Sequence, residues 1–127
     1  MLIPLYSHAV TAGLPAPATQ DIDNPLDLGE LIKHPYDTFF VRVQGFSMMD
    51  AGILDGDLLI VDRSIEHKNN DIVIASVDGE LTVKRIEQRR RRLRLMPANR
   101  KFKPIEIDEE MDFAVWGVVT HAIHYLK

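Results

Sequence analysis

The dipeptide Asp78-Gly79 constrains this chain more than any other pair of residues. A two-residue turn that matches the twist of antiparallel strands needs positive φ at both central positions, and Asp-Gly tolerates that well. Its flanks complete the pattern, with DIVIASV before it and ELTVKRI after it, so a hairpin of about residues 71–77 with 80–87 is predicted. The rest of the chain from Phe39 onward breaks up in the same manner. FFVRV, GFSMMDAGILDGD, LLIVD, RLRLMP, FKPIEI and the long FAVWGVVTHAIHY are short apolar or alternating runs set apart by turn residues. No helix-length amphipathic period competes with them, and only short helical turns are expected near Leu28 to Ile32 and Met48 to Gly52. The predicted class is mainly β.

The first 38 residues have a different texture. They hold Pro4, Pro15, Pro17, Pro25 and Pro35, five of the seven prolines, and show no sustained strand or helix period. Residues 1–38 therefore read as an extended arm and residues 39–127 as one β-rich domain, which the length of 127 residues accommodates. No apolar run approaches the roughly 18–20 residues of a membrane span, and the N-terminus lacks a basic, then long apolar, leader pattern. A cytoplasmic protein that meets no membrane is expected. The absence of cysteine excludes a disulfide framework, a thiolate nucleophile and a cysteine-rich zinc site. A net charge of −4 gives no general attraction for phosphate backbones, so direct sequence-specific DNA binding is not expected.

Two residues stand out chemically. Ser47 follows Gly45-Phe46, where a strand of bulky residues ends at a glycine that lets the chain bend and present the hydroxyl at the end of a sheet. The backbone N–H groups of Phe46 and Ser47 would then turn toward the same point, as an oxyanion hole requires. Taken alone, the segment reads equally as a serine that satisfies a turn or caps the next one. Lys84 shares a strand face with Thr82 and Ile86, opposite Leu81, Val83 and Arg85. A half-buried strand position lowers an amine's pKa, and a neutral lysine can take a proton from a serine hydroxyl. Taken alone, Lys84 also reads as a strand lysine reaching out to water.

Metal and nucleotide chemistry leave no comparable trace. His121 and His124 are three apart on a strand and point to opposite faces, so they do not form a metal pair. Asp55-Gly56-Asp57 reads as a turn. No cofactor or metal is expected, because no Walker, dinucleotide or EF-hand pattern is present.

The blocks GFSMMDAGILDGDLLIVDRS, NNDIVIASVDGELTVKRI and FAVWGVVTHAI resemble those of the LexA/UmuD family of self-cleaving Ser–Lys peptidases, most of all its UmuD-like members, from about Pro4 to the C-terminus. The resemblance implies a domain of strongly bent antiparallel sheets, with Ser47 as nucleophile and Lys84 as general base. It also makes Ala12-Gly13, within VTAGLP, the bond that the protein cuts in its own arm. Ala12 suits a shallow specificity pocket, and Gly13 gives an extended segment room to enter a cleft. Cutting there leaves residues 13–127, which is 127 − 12 = 115 residues. By the same resemblance the shortened form is a homodimer that serves a UmuC-like Y-family polymerase in error-prone lesion bypass during the SOS response, and a RecA filament triggers the cut.

Alternatives from other classes are a non-catalytic dimeric module for a polymerase and a repressor-type protease domain. A repressor would need a helix-turn-helix unit, which twelve residues ahead of Gly13 do not supply. The run Arg89-Arg90-Arg91-Arg92 with Arg94 departs from the family pattern. It reads as a solvated hairpin tip in preference to a DNA or polymerase contact, since the chain offers no wider basic surface. The apolar terminal strand is expected at a sheet edge, where it would pair with a second copy.

Overall fold

The computed structural model describes residues 1–17 and 20–127. The chain forms two compact units, Met1–Lys33 and His34–Lys127. In the first, strand β1 (Leu2–Tyr6) pairs antiparallel with β2 (Ile22–Asp27), so that the loop carrying Ala12 and Gly13 is closed off by a ladder. This ladder left no period in the sequence for a physical reason. All five residues of β1 are exposed, so no buried face imposes an alternation of apolar and polar side chains.

The second unit is one seven-stranded antiparallel sheet in the order β3-β4-β9-β5-β6-β7-β8. Its strands are β3 (Thr38–Arg42), β4 (Leu58–Asp62), β5 (Ile72–Val77), β6 (Glu80–Arg89), β7 (Arg92–Met96), β8 (Ile105–Ile107) and β9 (Phe113–Ile123). The β5–β6 hairpin turns on Asp78 and Gly79 at φ 50° and 84°, the two positive values that the dipeptide predicts. Among the described residues, helical structure is confined to 3₁₀ turns at Leu28–Leu31, Pro35–Asp37 and Met49–Ala51.

Strand β9 corrects one expectation: it lies inside the sheet, between β4 and β5, not at an edge. Its first half pairs with β5 from Phe113 to Val118, and its second half pairs with β4 from Val118 to Ile123. Each ladder carries a register shift along β9, an irregularity of the kind that locally bends and twists a strand. Two cores result. One holds Met48, Ile53, Leu59, Val61 and Ile74, and the other holds Val73, Ala75, Ile86, Leu95 and Val118. Because Val73 and Ala75 face one core while Ile74 faces the other, β5 is buried on both sides. That strand and its partner β6 form the rigid support of the site described next.

Candidate active site

Ser47 is set by its neighbours in the chain. Gly45 takes φ +101°, a value that disfavours any side chain, and its N–H donates to Asp55 Oδ1 at 2.7 Å. Two residues past the serine nucleophile candidate's preceding glycine-phenylalanine pair, Met48 is buried to 1% exposure in the first core and pins the turn. The short 3₁₀ turn Met49–Ala51 then closes on Gly52 at φ +82°. From the other side, the Ala98 N–H donates to the Ser47 carbonyl at 2.7 Å, and Asn99 Nδ2 donates to the Phe46 carbonyl at 2.9 Å. The turn is thereby held at both ends while the Ser47 side chain stays half-buried.

Lys84 arrives from β6 with its side chain 8% exposed, on the face shared with Thr82 and Ile86. Its Nζ lies 2.9 Å from Ser47 Oγ, 2.8 Å from Thr82 Oγ1 and 3.1 Å from the Val83 carbonyl. Among the described residues no carboxylate forms an ion pair with this amine. Burial is therefore uncompensated, and it pushes the Lys84 amine below its ordinary value of 10.5. In the window between the lowered folded value and 10.5 the unfolded chain binds the proton more tightly, so Lys84 contributes a stability that rises with pH.

A neutral amine has two N–H donors and one lone pair, and the three contacts match that count. As an ammonium, Lys84 donates to Ser47 Oγ, Thr82 Oγ1 and the Val83 carbonyl; once neutral, it keeps two N–H donors for Thr82 and Val83 and turns its lone pair to the Ser47 hydroxyl proton. Thr82 was legible in the sequence only as a face-mate of Lys84. The grip of Ala98 and Asn99 on the serine turn, from about fifty residues away in sequence, was not legible at all.

The pair opens onto a cavity of about 380 Å³ whose walls include Val41, Val43, Ile74 and Leu81. The N–H groups of Phe46 and Ser47 donate to no carbonyl or side chain among the described residues, so both are free to bind an external oxygen. β3, whose end lines the cavity, is one of the two outermost strands of the sheet, and its outer backbone edge pairs with no strand among the described residues.

The other sequence candidates have surroundings of their own. His121 Nδ1 is 2.9 Å from Thr120 Oγ1, whereas His124 Nδ1 is 2.6 Å from the buried Asp57 carboxylate, so the two histidines serve different partners. Among the described residues no cluster of three metal-ligating side chains occurs. Arg89 to Arg92 turn the β6–β7 hairpin, with Arg90 at φ 55°. Arg92 and Arg94 pair with Glu106 and Glu87 at 2.6 and 2.8 Å, which leaves Arg90 and Arg91 at the tip without ion pairs among the described residues. No helix of the described residues is long and apolar enough to cross a membrane. Ala12 and Gly13 lie in the loop of the first unit, where Thr11 Oγ1 donates to the Leu14 carbonyl at 2.7 Å and closes a turn over them.

Comparison with known proteins agrees with this architecture. The Peptidase S24-like family model matches residues 4–120. Protein MucA of Salmonella typhimurium is 43% identical over 123 residues, covering 95% of this chain and 84% of that protein. Protein ImpA of Shigella flexneri is 42% identical over 128 residues, with 95% and 83% covered. LexA repressor 1 of Xanthomonas axonopodis pv. citri is 44% identical over 109 residues, which span 86% of this chain and 54% of the repressor. With the family model spanning nearly the whole chain and relatives above 40% identity over most of its length, the chain belongs to the Peptidase S24-like family of serine peptidases.

Proposed function

We propose that this protein is a self-cleaving Ser–Lys peptidase that cuts its own Ala12–Gly13 bond. The observation that carries the reading is the 2.9 Å contact between Lys84 Nζ and Ser47 Oγ beside an open cavity. Lys84 takes the hydroxyl proton as Ser47 Oγ attacks the Ala12 carbonyl carbon, and the N–H groups of Phe46 and Ser47 receive the oxyanion. The Lys84 ammonium then returns its proton to the departing Gly13 amine, which breaks the peptide bond and leaves residues 1–12 as an ester on Ser47. Water, deprotonated by the same amine, releases that peptide. The 115-residue product, residues 13–127, acts as a homodimeric accessory subunit of a UmuC-like Y-family polymerase in SOS mutagenesis, in the cytoplasm, and a RecA filament triggers the cut. Similarity to MucA and ImpA over most of the chain supports this role.

The test is incubation of the purified chain in alkaline buffer. A fragment that begins at Gly13 is expected from the wild type and none from Ser47→Ala. The same fragment from Ser47→Ala would refute the assignment.

The loop makes a second prediction. A peptidase holds its substrate extended, and the Thr11 hydroxyl closes the segment into a turn across the bond to be cut. Thr11→Val removes one exposed hydrogen bond of about 0.5–1.5 kcal/mol, so self-cleavage should quicken by roughly two- to tenfold with the product mass unchanged. Quenched time courses on gels check this, and an unchanged or slower rate would contradict it.

A further inference from the structure

The loop between β7 and β8 is fastened to the serine turn and carries basic side chains that form no ion pair among the described residues. Besides the bonds from Ala98 to Ser47 and from Asn99 to Phe46, the Ala98 carbonyl accepts the Asp50 N–H at 2.8 Å. Asn99 also shapes its own loop, since its Oδ1 accepts the Lys101 N–H at 3.0 Å and its carbonyl accepts the Phe102 N–H at 3.1 Å. Arg100, Lys101 and Lys103 follow, all exposed and all without an ion pair among the described residues. The serine turn adds one exposed carboxylate, Asp50, so the local charge is 3 − 1 = +2 on a chain of net −4. The same two segments expose apolar side chains: Phe102 at 44%, Phe46 at 55% and Met49 at 45%.

We infer that Arg100, Lys101, Phe102 and Lys103, together with Phe46 and Met49, form a docking surface for an acidic, apolar-containing peptide segment of a partner protein. Charge decides between this partner and a nucleic acid. A strand of nucleic acid needs basic side chains along a track of successive phosphates. Here the adjoining arginines of β7 are already neutralised, Arg92 by Glu106 and Arg94 by Glu87. The unpaired Arg90 and Arg91 sit beyond the other end of β7, a five-residue strand that spans roughly 17 Å. The basic patch is therefore short and interrupted. It is bordered by apolar side chains, and that mixture complements a short acidic segment in which charge steers the encounter and apolar residues hold the contact. A partner seated there bears on the Ala98 and Asn99 groups that hold the Ser47 turn, so docking and the cleft share one stretch of backbone.

Fluorescence anisotropy tests the surface on the full chain, with a labelled short peptide of alternating Asp and Leu and a labelled oligothymidylate as probes. The peptide should bind, more weakly as salt is added. Lys101→Glu with Lys103→Glu should weaken binding by about tenfold or more, while the charge-matched pair Arg90→Glu and Arg91→Glu should leave it within about twofold. Equal losses in both double variants, preference for the oligothymidylate, or binding of neither probe would each overturn the inference. The readout is binding alone, so its outcome is separable from that of the Ser47 cleavage test.

Discussion

Replacing Lys84 with alanine is expected to slow self-cleavage by about a thousandfold, the midrange contribution of a positioned general base. No other described group stands ready to take its role: the partners of the amine are a threonine hydroxyl and a backbone carbonyl, neither of which is a base near neutrality. Arginine should fail as completely as alanine, because a guanidinium does not release its proton in this range. A methionine variant keeps a long apolar side chain at this buried position without the amine, and it separates lost chemistry from lost fold. The measurement is the first-order rate of product formation, read alongside the thermal midpoint of each variant. A Lys84→Met protein that folds normally and cleaves at the wild-type rate would be incompatible with the proposed dyad.

The second large effect is expected at Gly117, in the middle of β9. A Cβ built there would sit 2.8 Å from Val61 Cγ1 and 3.0 Å from the Asp62 carbonyl oxygen. Side-chain rotation could relieve the first contact but not the second, because Asp62 belongs to the ladder in which β4 and β9 pair from Val118 onward. Gly117→Ala must therefore part the two strands at the crossing of the sheet, at a cost of roughly 2–3 kcal/mol. For a chain of this length that lowers the melting midpoint by roughly 6–12 °C. Thermal unfolding followed by circular dichroism checks it, and a midpoint within a degree or two of wild type would mean that β4 and β9 do not approach as closely as described. Gly13, with nothing within 4 Å of a built Cβ and no positive φ, carries no comparable steric demand.

These two positions differ in how far the sequence disclosed them. The Asp78-Gly79 hairpin was legible because two adjacent positive φ values leave few residue types to choose from. Lys84 could be assigned to the face of Thr82 and Ile86 by strand alternation alone, and its burial follows from that face. The proximity of Ser47 to Lys84 was not legible in this local sense. It depends on bringing residues 37 positions apart together across the sheet, and only the likeness of several blocks to a known family joined them. Gly117 gave no local signal either, since a glycine within an apolar run does not announce which backbone will lie against it. The interior place of β9 was missed for the same reason: strand order is set by long-range pairing, whereas hydrophobicity reports only that a strand is covered. In the first unit the β1–β2 ladder escaped notice because its exposed residues need no alternation.

The dependence of the self-cleavage rate on pH tests the Ser47–Lys84 pairing most directly. Only the neutral amine accepts the serine proton, and burial without a neighbouring carboxylate holds the Lys84 amine below 10.5. The rate should therefore rise about tenfold per pH unit in proportion to the neutral fraction, then level off at a midpoint below 10.5. In Lys84→Ala the residual rate should lose that midpoint. A wild-type rate that stays flat from neutral to alkaline pH, or a midpoint that survives in Lys84→Ala, would contradict the assignment of Lys84 as the base.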